Sequence, residues 1–167
     1  MLSLFTVEPD TLELLKNLMQ EKFLANTRLV GGTALALQYG HRNSVDLDFF
    51  GEIDSEEDYI TMLKQYGNVM VIKNSPTIKQ FIVNGVKVDI VNYKYPWIDS
   101  PVEEEGIILA SPKDIAAMKI NAVEGRGSKK DFIDIYFLLQ KYHLSEILDF
   151  YSRKYPEYSI FRAIMSL

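Results

Sequence analysis

The chain has 167 residues, 47% of them hydrophobic and 25% charged, with a net charge of −5, a balance that suits one soluble domain, or a small domain with an appendage, able to bury a core. No apolar run approaches the ~18 residues of a membrane span, and the opening MLSLFTVEPD has neither the basic start nor the cleavage site of a signal peptide, so a cytoplasmic location and no membrane partner are expected. With no cysteine in the chain, disulfides, thiolate metal sites and cysteine nucleophiles are excluded. Residues 1 to 105 carry −7 and residues 106 to 167 carry +2, an asymmetry that can offer local contacts to phosphates or merely reflect solvated helix faces.

In chain order, Pro9 marks a helix start, and Leu12, Leu15, Met19 and Phe23 continue it at helical spacing to about Leu24. Arg28 to Val30 reads as a short strand running into Gly31-Gly32-Thr33, after which Ala34 to Tyr39 is helical and Gly40 stops it. Val45 to Phe50 is strand-like, and Glu56 to Tyr66 is a helix followed by a strand over Val69 to Lys73. Two further strands, Thr77 to Val83 and Val86 to Val91, flank Asn84-Gly85, a strong hairpin signal whose two-residue turn sets Gln80 opposite Asp89. Tyr93 to Gly106, with two prolines and three consecutive glutamates, reads as a loop. Beyond Ile107 to Leu109 the chain turns helical: one helix from Pro112 broken at Gly125-Arg126-Gly127, a second from Ser128 to about Tyr142, and at least one more from Leu144.

The chemistry-bearing residues fall in an order of their own. Glycines let a backbone approach a phosphate, helix N-termini favour anions, and Thr33 adds a hydroxyl to the Gly31-Gly32 pair. Sheets normally exclude aspartate, yet the run VDLDFF alternates so that Val45, Leu47 and Phe49 share one face while Asp46 and Asp48 stand together on the other. A third aspartate, Asp89, lies on a separate strand. Three carboxylates converging from two strands form an oxygen-rich pocket of the kind Mg²⁺ prefers, and the implied chemistry is phosphoryl or nucleotidyl transfer. Simpler readings stand beside this one: Gly-Gly-Thr is also what a turn with a threonine cap looks like, and Asp89 alternates with Lys87 on what can be a solvated face.

The pattern Gly31-Gly32-Thr33 followed by Gly40-His41-Arg42-x-Ser44-x-Asp46-x-Asp48-Phe49 resembles the nucleotidyltransferase superfamily of the DNA polymerase beta type, and more narrowly its AbiEii/AbiGii toxin-like branch. Lys119, Arg126, Lys130-Asp131 and Asp134 repeat, in order, the downstream helical motif of that branch, so the resemblance spans roughly residues 28 to 140 in two blocks. It implies that Asp46 and Asp48 hold divalent metal, Mg²⁺ or Mn²⁺, with Asp89 as the third carboxylate that activates the attacking hydroxyl. It implies further that Gly31, Gly32 and Thr33 bind the triphosphate of an NTP, and that Arg42 and Ser44 steady the loop or touch phosphate. Lys119 becomes the stabiliser of phosphate charge, and Asp131 a second-tier catalytic residue. From the residues alone, Asp131 can equally be the N3 partner of Ser128, and Asp134 the i+4 partner of Lys130.

The expected fold is α+β: a mixed or antiparallel sheet with packed helices, the site lying at the edge formed by the Asp46 and Asp89 strands. Its divisions are a nucleotidyltransferase core over residues 1–105 and a helical subdomain over 106–167, packed on the core. The expected activity is metal-dependent transfer of a nucleoside monophosphate from an NTP to RNA, tRNA in particular, or to a protein acceptor. By resemblance the setting is a toxin–antitoxin or phage-defence system, with an antitoxin protein as partner. A metal-dependent phosphodiesterase or nuclease, and a non-catalytic interaction module on the same fold, are the rival readings.

Overall fold

The computed structural model describes all 167 residues, and the chain divides into two compact units: residues 1–94 with 102–109, and residues 95–101 with 110–167. The first unit holds every strand: β1 (Thr27–Val30), β2 (Leu47–Gly51), β3 (Val69–Asn74), β4 (Ile78–Val83), β5 (Val86–Asn92), β6 (Val102–Glu104) and β7 (Ile107–Leu109). They form one mixed sheet in the order β3-β4-β5-β2-β1-β7-β6, in which β2 pairs parallel with β5 and antiparallel with β1. The helices of this unit are α1 (Pro9–Leu18), α2 (Gly31–Tyr39) and α3 (Tyr59–Lys64).

Alternation along the strands gives the sheet one apolar face. Leu29, Leu47, Phe49, Phe81, Val83, Val88 and Ile90 are fully buried, and their register aligns Leu47 with Val88 and Phe49 with Ile90. Leu15, Leu18, Leu35, Leu37 and Leu63, from the three helices, complete the buried core of this unit. Because partners across a ladder share a face, the opposite face carries the row Lys73, Gln80, Asp89, Asp48, Val30 from β3 to β1.

Several expected boundaries move, each for a local reason. The first helix stops at Leu18, because Glu21 adopts an extended backbone and gives its carboxylate to the Tyr66 hydroxyl; Lys22–Leu24 is a separate 3-10 turn. The helix expected from Glu56 begins at Tyr59, where Asp58 caps it by accepting from Thr61 N at 3.0 Å. The expected loop over 93–106 contains β6, joined to β7 by Glu105-Gly106, both at positive φ as a two-residue hairpin turn requires. The Asn84-Gly85 hairpin forms as expected, with φ of 48° and 82°, and sets Gln80 opposite Asp89.

The second unit comprises α4 (Pro112–Gly125), α5 (Lys129–Leu138), α6 (Leu144–Lys154) and α7 (Ile160–Met165) together with the segment Tyr95–Pro101. Ile115, Ala116, Ala117 and Ile120 of α4 are buried, as are Ile135 and Leu138 of α5 and Ile147 and Tyr151 of α6. Lys154 and Asp114 form an ion pair at 2.9 Å with neither side chain exposed, and the Lys154 ammonium stands 4.2 Å from the Trp97 ring centroid. Asp114 also accepts from the backbone N–H groups of Ile98 and Asp99, which ties the Tyr95–Pro101 segment to α4. No helix is long and apolar enough to cross a membrane.

Candidate active site

Strand register places the central residues. Val30, the last residue of β1, pairs with Asp48, so the chain enters α2 directly beside that carboxylate. Gly31 sits there with φ +74°, and a Cβ on it would lie 2.7 Å from Asp48 Oδ2. The glycine is thus required twice, by the backbone conformation and by the aspartate. On the other side of β2, Asp48 pairs in parallel register with Asp89. The two carboxylates are therefore neighbours on interior strands, not at the sheet edge where the sequence set them, and parallel pairing brings them together.

Asp89 is nearly buried and unevenly partnered. Its Oδ2 accepts from Gln80 Nε2 at 3.2 Å and faces Lys87 Nζ at 3.3 Å, whereas Oδ1 is inaccessible and has no hydrogen-bond partner. A buried acceptor left open costs free energy that folding normally avoids, and Oδ1 is the oxygen of Asp89 still able to take a donor or a cation.

The turn into α2 differs from a capped helix start. Val30 stands at the N-cap, and its apolar side chain makes no capping hydrogen bond. Thr33 is no cap: it is buried within the helix, its hydroxyl directed to Ser44 Oγ at 2.8 Å and to the main-chain carbonyl of Asp46. Thr33 therefore fastens the loop carrying Arg42 and Ser44 to α2, and Ser44 N bonds Thr6 O at 2.9 Å. Arg42 lies across Gly32, where a Cβ would come 2.1 Å from Nη2, and its Nη1 donates to Asn43 O at 2.9 Å. The Arg42 guanidinium thus stands at the N-terminal end of α2, the end of a helix that favours anions.

Asp46 lies just before β2, which begins at Leu47. No group of three or more His, Asp or Glu side chains stands together as a metal cage. Register supplies two carboxylates, Asp48 and Asp89, and the open Oδ1 of Asp89 suits the oxygen coordination that a hard divalent cation takes. The residues present therefore fit such an ion through these two, with Asp46 two residues before Asp48.

Lys119 and Asp131 belong to the helical unit. Lys119, 4% exposed, pairs with Asp131 Oδ1 at 3.1 Å and with Asp134 Oδ2 at 2.7 Å. Asp134 thus takes Lys119 of a neighbouring helix, not Lys130 of its own, as its partner. Asp131 also receives Arg126 through Nε and Nη2, both at 2.9 Å, and closes the capping box of α5 with Ser128. Burial pushes the Asp131 carboxyl up, but the hydrogen bonds from Arg126 and Ser128 and the Lys119 charge outweigh it and hold it well below the usual carboxylate range. The two cations and two anions of this cluster balance.

Gln80 faces Asp89 across the hairpin, and Asp114 and Lys154 form a buried pair outside the motifs. Gln80 was legible from the hairpin. Asp114 had a local signal in Ser111 three residues before it, the capping pattern that the structure realises at 3.1 Å, whereas nothing local to Lys154 announces a partner 40 residues away.

The sequence profile described as nucleotidyl transferase AbiEii toxin, Type IV TA system, matches residues 13–96, which spans β1, α2 and the strands of Asp48 and Asp89. An uncharacterized protein of Aquifex aeolicus is 37% identical over 134 residues, a match covering 76% of this chain and 65% of that protein. Among solved structures, JHP933 from Helicobacter pylori aligns with a TM-score of 0.58 at 18% identity over 96% of this chain and 89% of that one. The antibiotic-resistance factor ANT(2'')-Ia aligns with a TM-score of 0.58 at 13% identity over 86% and 91%. At these identities the structural likenesses establish the shared fold. The profile match over half the chain establishes more: this chain belongs to the AbiEii nucleotidyl transferase toxin family.

Proposed function

We propose that the protein is a metal-dependent nucleotidyltransferase that moves a nucleoside monophosphate from an NTP to an acceptor on RNA, tRNA in particular, or on a protein, and that it acts as the toxin of a toxin–antitoxin pair. The observation that carries this reading is the parallel pairing of Asp48 with Asp89 beside the glycine start of α2. That arrangement sets two carboxylates next to a cradle for phosphate, which a nuclease or an interaction module has no need to combine.

In this reading the acceptor oxygen bonds the α-phosphorus, the bond from that phosphorus to the bridging oxygen of the β-phosphate breaks, and pyrophosphate leaves with the electron pair. The N–H groups at the start of α2 and the Arg42 guanidinium bind the triphosphate, with Gly31 and Gly32 letting its oxygens approach the backbone. Ser44 and Thr33 keep the Arg42 loop in place. Asp89, through Oδ1, takes the proton of the acceptor hydroxyl. Asp48 and Asp89, with Asp46, would hold Mg²⁺ or Mn²⁺, which when bound neutralises phosphate charge and polarises the reacting oxygens. For Lys119 and Asp131, which belong to the helical unit, we propose the catalytic roles that the resemblance implies, read by label transfer in Lys119→Met.

The test is incubation with each labelled NTP and Mg²⁺ in the presence of total RNA or cell extract. Label transferred to RNA or to a protein band, with pyrophosphate formed in equal amount, is the expected result. Shortening of RNA without NTP, or no transfer from any NTP, would overturn the reading.

A further inference from the structure

The two oxygens of Asp89 are not equivalent. Oδ2 has two donors, Gln80 Nε2 at 3.2 Å from β4 and Lys87 Nζ at 3.3 Å from the same strand, while Oδ1, inaccessible to solvent, has none. A carboxylate only accepts, so the Gln80 amide presents its NH₂ group to it and the assignment of that amide is fixed by chemistry. The contact is also enforced by the backbone, because Gln80 and Asp89 are direct partners across an antiparallel ladder whose turn, Asn84-Gly85, allows one register.

We propose that Gln80 is a positioning residue for the transfer reaction: by donating to Oδ2 it sets the rotation of the Asp89 carboxylate, so that Oδ1 is the oxygen offered to the reacting centre. Lys87 assists from the same side, more weakly because its ammonium is exposed and screened. The proposal rests on the role given to Asp89 above and adds the device that orients it. An apolar residue at position 80 would leave the carboxylate free to turn or to exchange its oxygens, and the geometry of the nucleophile's activation would be lost.

The experiment compares the wild type with Gln80→Met, which keeps the volume and removes the donor, with Gln80→Glu, which sets a second carboxylate against the first, and with Lys87→Met. Three quantities are read: kcat and KM for NTP in label transfer, the affinity for Mn²⁺ from the resonance signal of the free ion, and the melting temperature. For Gln80→Met, kcat falls by about 10- to 100-fold and Mn²⁺ affinity by about tenfold, the range typical of lost partners around a ligand. KM for NTP stays within about twofold, since binding of the triphosphate is untouched. Gln80→Glu loses at least as much, and Lys87→Met moves in the same direction by less. A merely structural Gln80 would lower the melting temperature and leave the properties of the folded fraction alone. Unchanged kcat or unchanged Mn²⁺ affinity in folded Gln80→Met overturns the proposal. A wild type that transfers no label overturns the function instead, and the Mn²⁺ titration of Gln80→Met then decides the positioning claim by itself.

Discussion

Replacing Lys119 with methionine removes one ammonium from a site with almost no solvent. Lys119 is 4% exposed and stands 3.1 and 2.7 Å from two carboxylates whose side chains are wholly buried. Methionine keeps most of the side-chain volume, so the loss is electrostatic, not a cavity. Asp131 keeps Arg126 and Ser128, but the cluster goes from balanced to a net negative charge in a low dielectric. Breaking a buried pair from one side costs about 3–5 kcal/mol. At ~2–4 °C per kcal/mol for a chain of this size, the melting temperature falls by roughly 6–20 °C. Calorimetry at pH 7 reads the shift, and a titration gives its cause. The Asp131 carboxyl is held below its ordinary value, so its contribution to stability is complete above the unfolded value near pH 4 and is lost as pH falls through the folded value. In Lys119→Met that carboxyl rises toward the ordinary value, and the dependence of stability on pH below about 4 flattens. A melting temperature within 2 °C of wild type, a bound set by the same size scaling, would refute the reasoning that this cluster holds the helical unit together.

Two other substitutions probe separate parts. Gly31→Ala meets a positive φ, worth about 1–2 kcal/mol of strain, and puts a methyl group against Asp48 Oδ2; label transfer drops far more than the modest fall in melting temperature accounts for. Lys154→Met leaves Asp114 buried, and with it the backbone N–H groups of Ile98 and Asp99 that this carboxylate holds; urea denaturation registers a loss of about 3 kcal/mol or more, while Asp114→Asn with Lys154→Met recovers part of it.

Short-range rules reached those parts of the fold that short-range physics decides. Asn84-Gly85 specified its turn, and the turn specified that Gln80 faces Asp89, because a two-residue loop leaves one register. Ser128 and Asp131 announced their capping box for the same reason. What escaped was long-range pairing. Nothing local states that β2 lies parallel to β5, yet that pairing makes Asp48 and Asp89 neighbours and moves the site from the edge of the sheet to its interior. The partners of Lys119, 12 and 15 residues away in sequence, carry no local signal, and Thr33 looked like a cap because the loop it fastens arrives from residues 44 to 46. Glu21 ended a helix that periodicity would have continued, since Tyr66 from a distant element took its carboxylate.

The most direct measurement is label transfer from NTP by Asp48→Ala. The variant is read only where it melts cooperatively, so that lost transfer is not lost fold. Transfer, which depends on both carboxylates beside the α2 cradle, falls by at least about 100-fold. An Asp48→Ala protein that is folded and transfers label within about twofold of wild type would contradict the account.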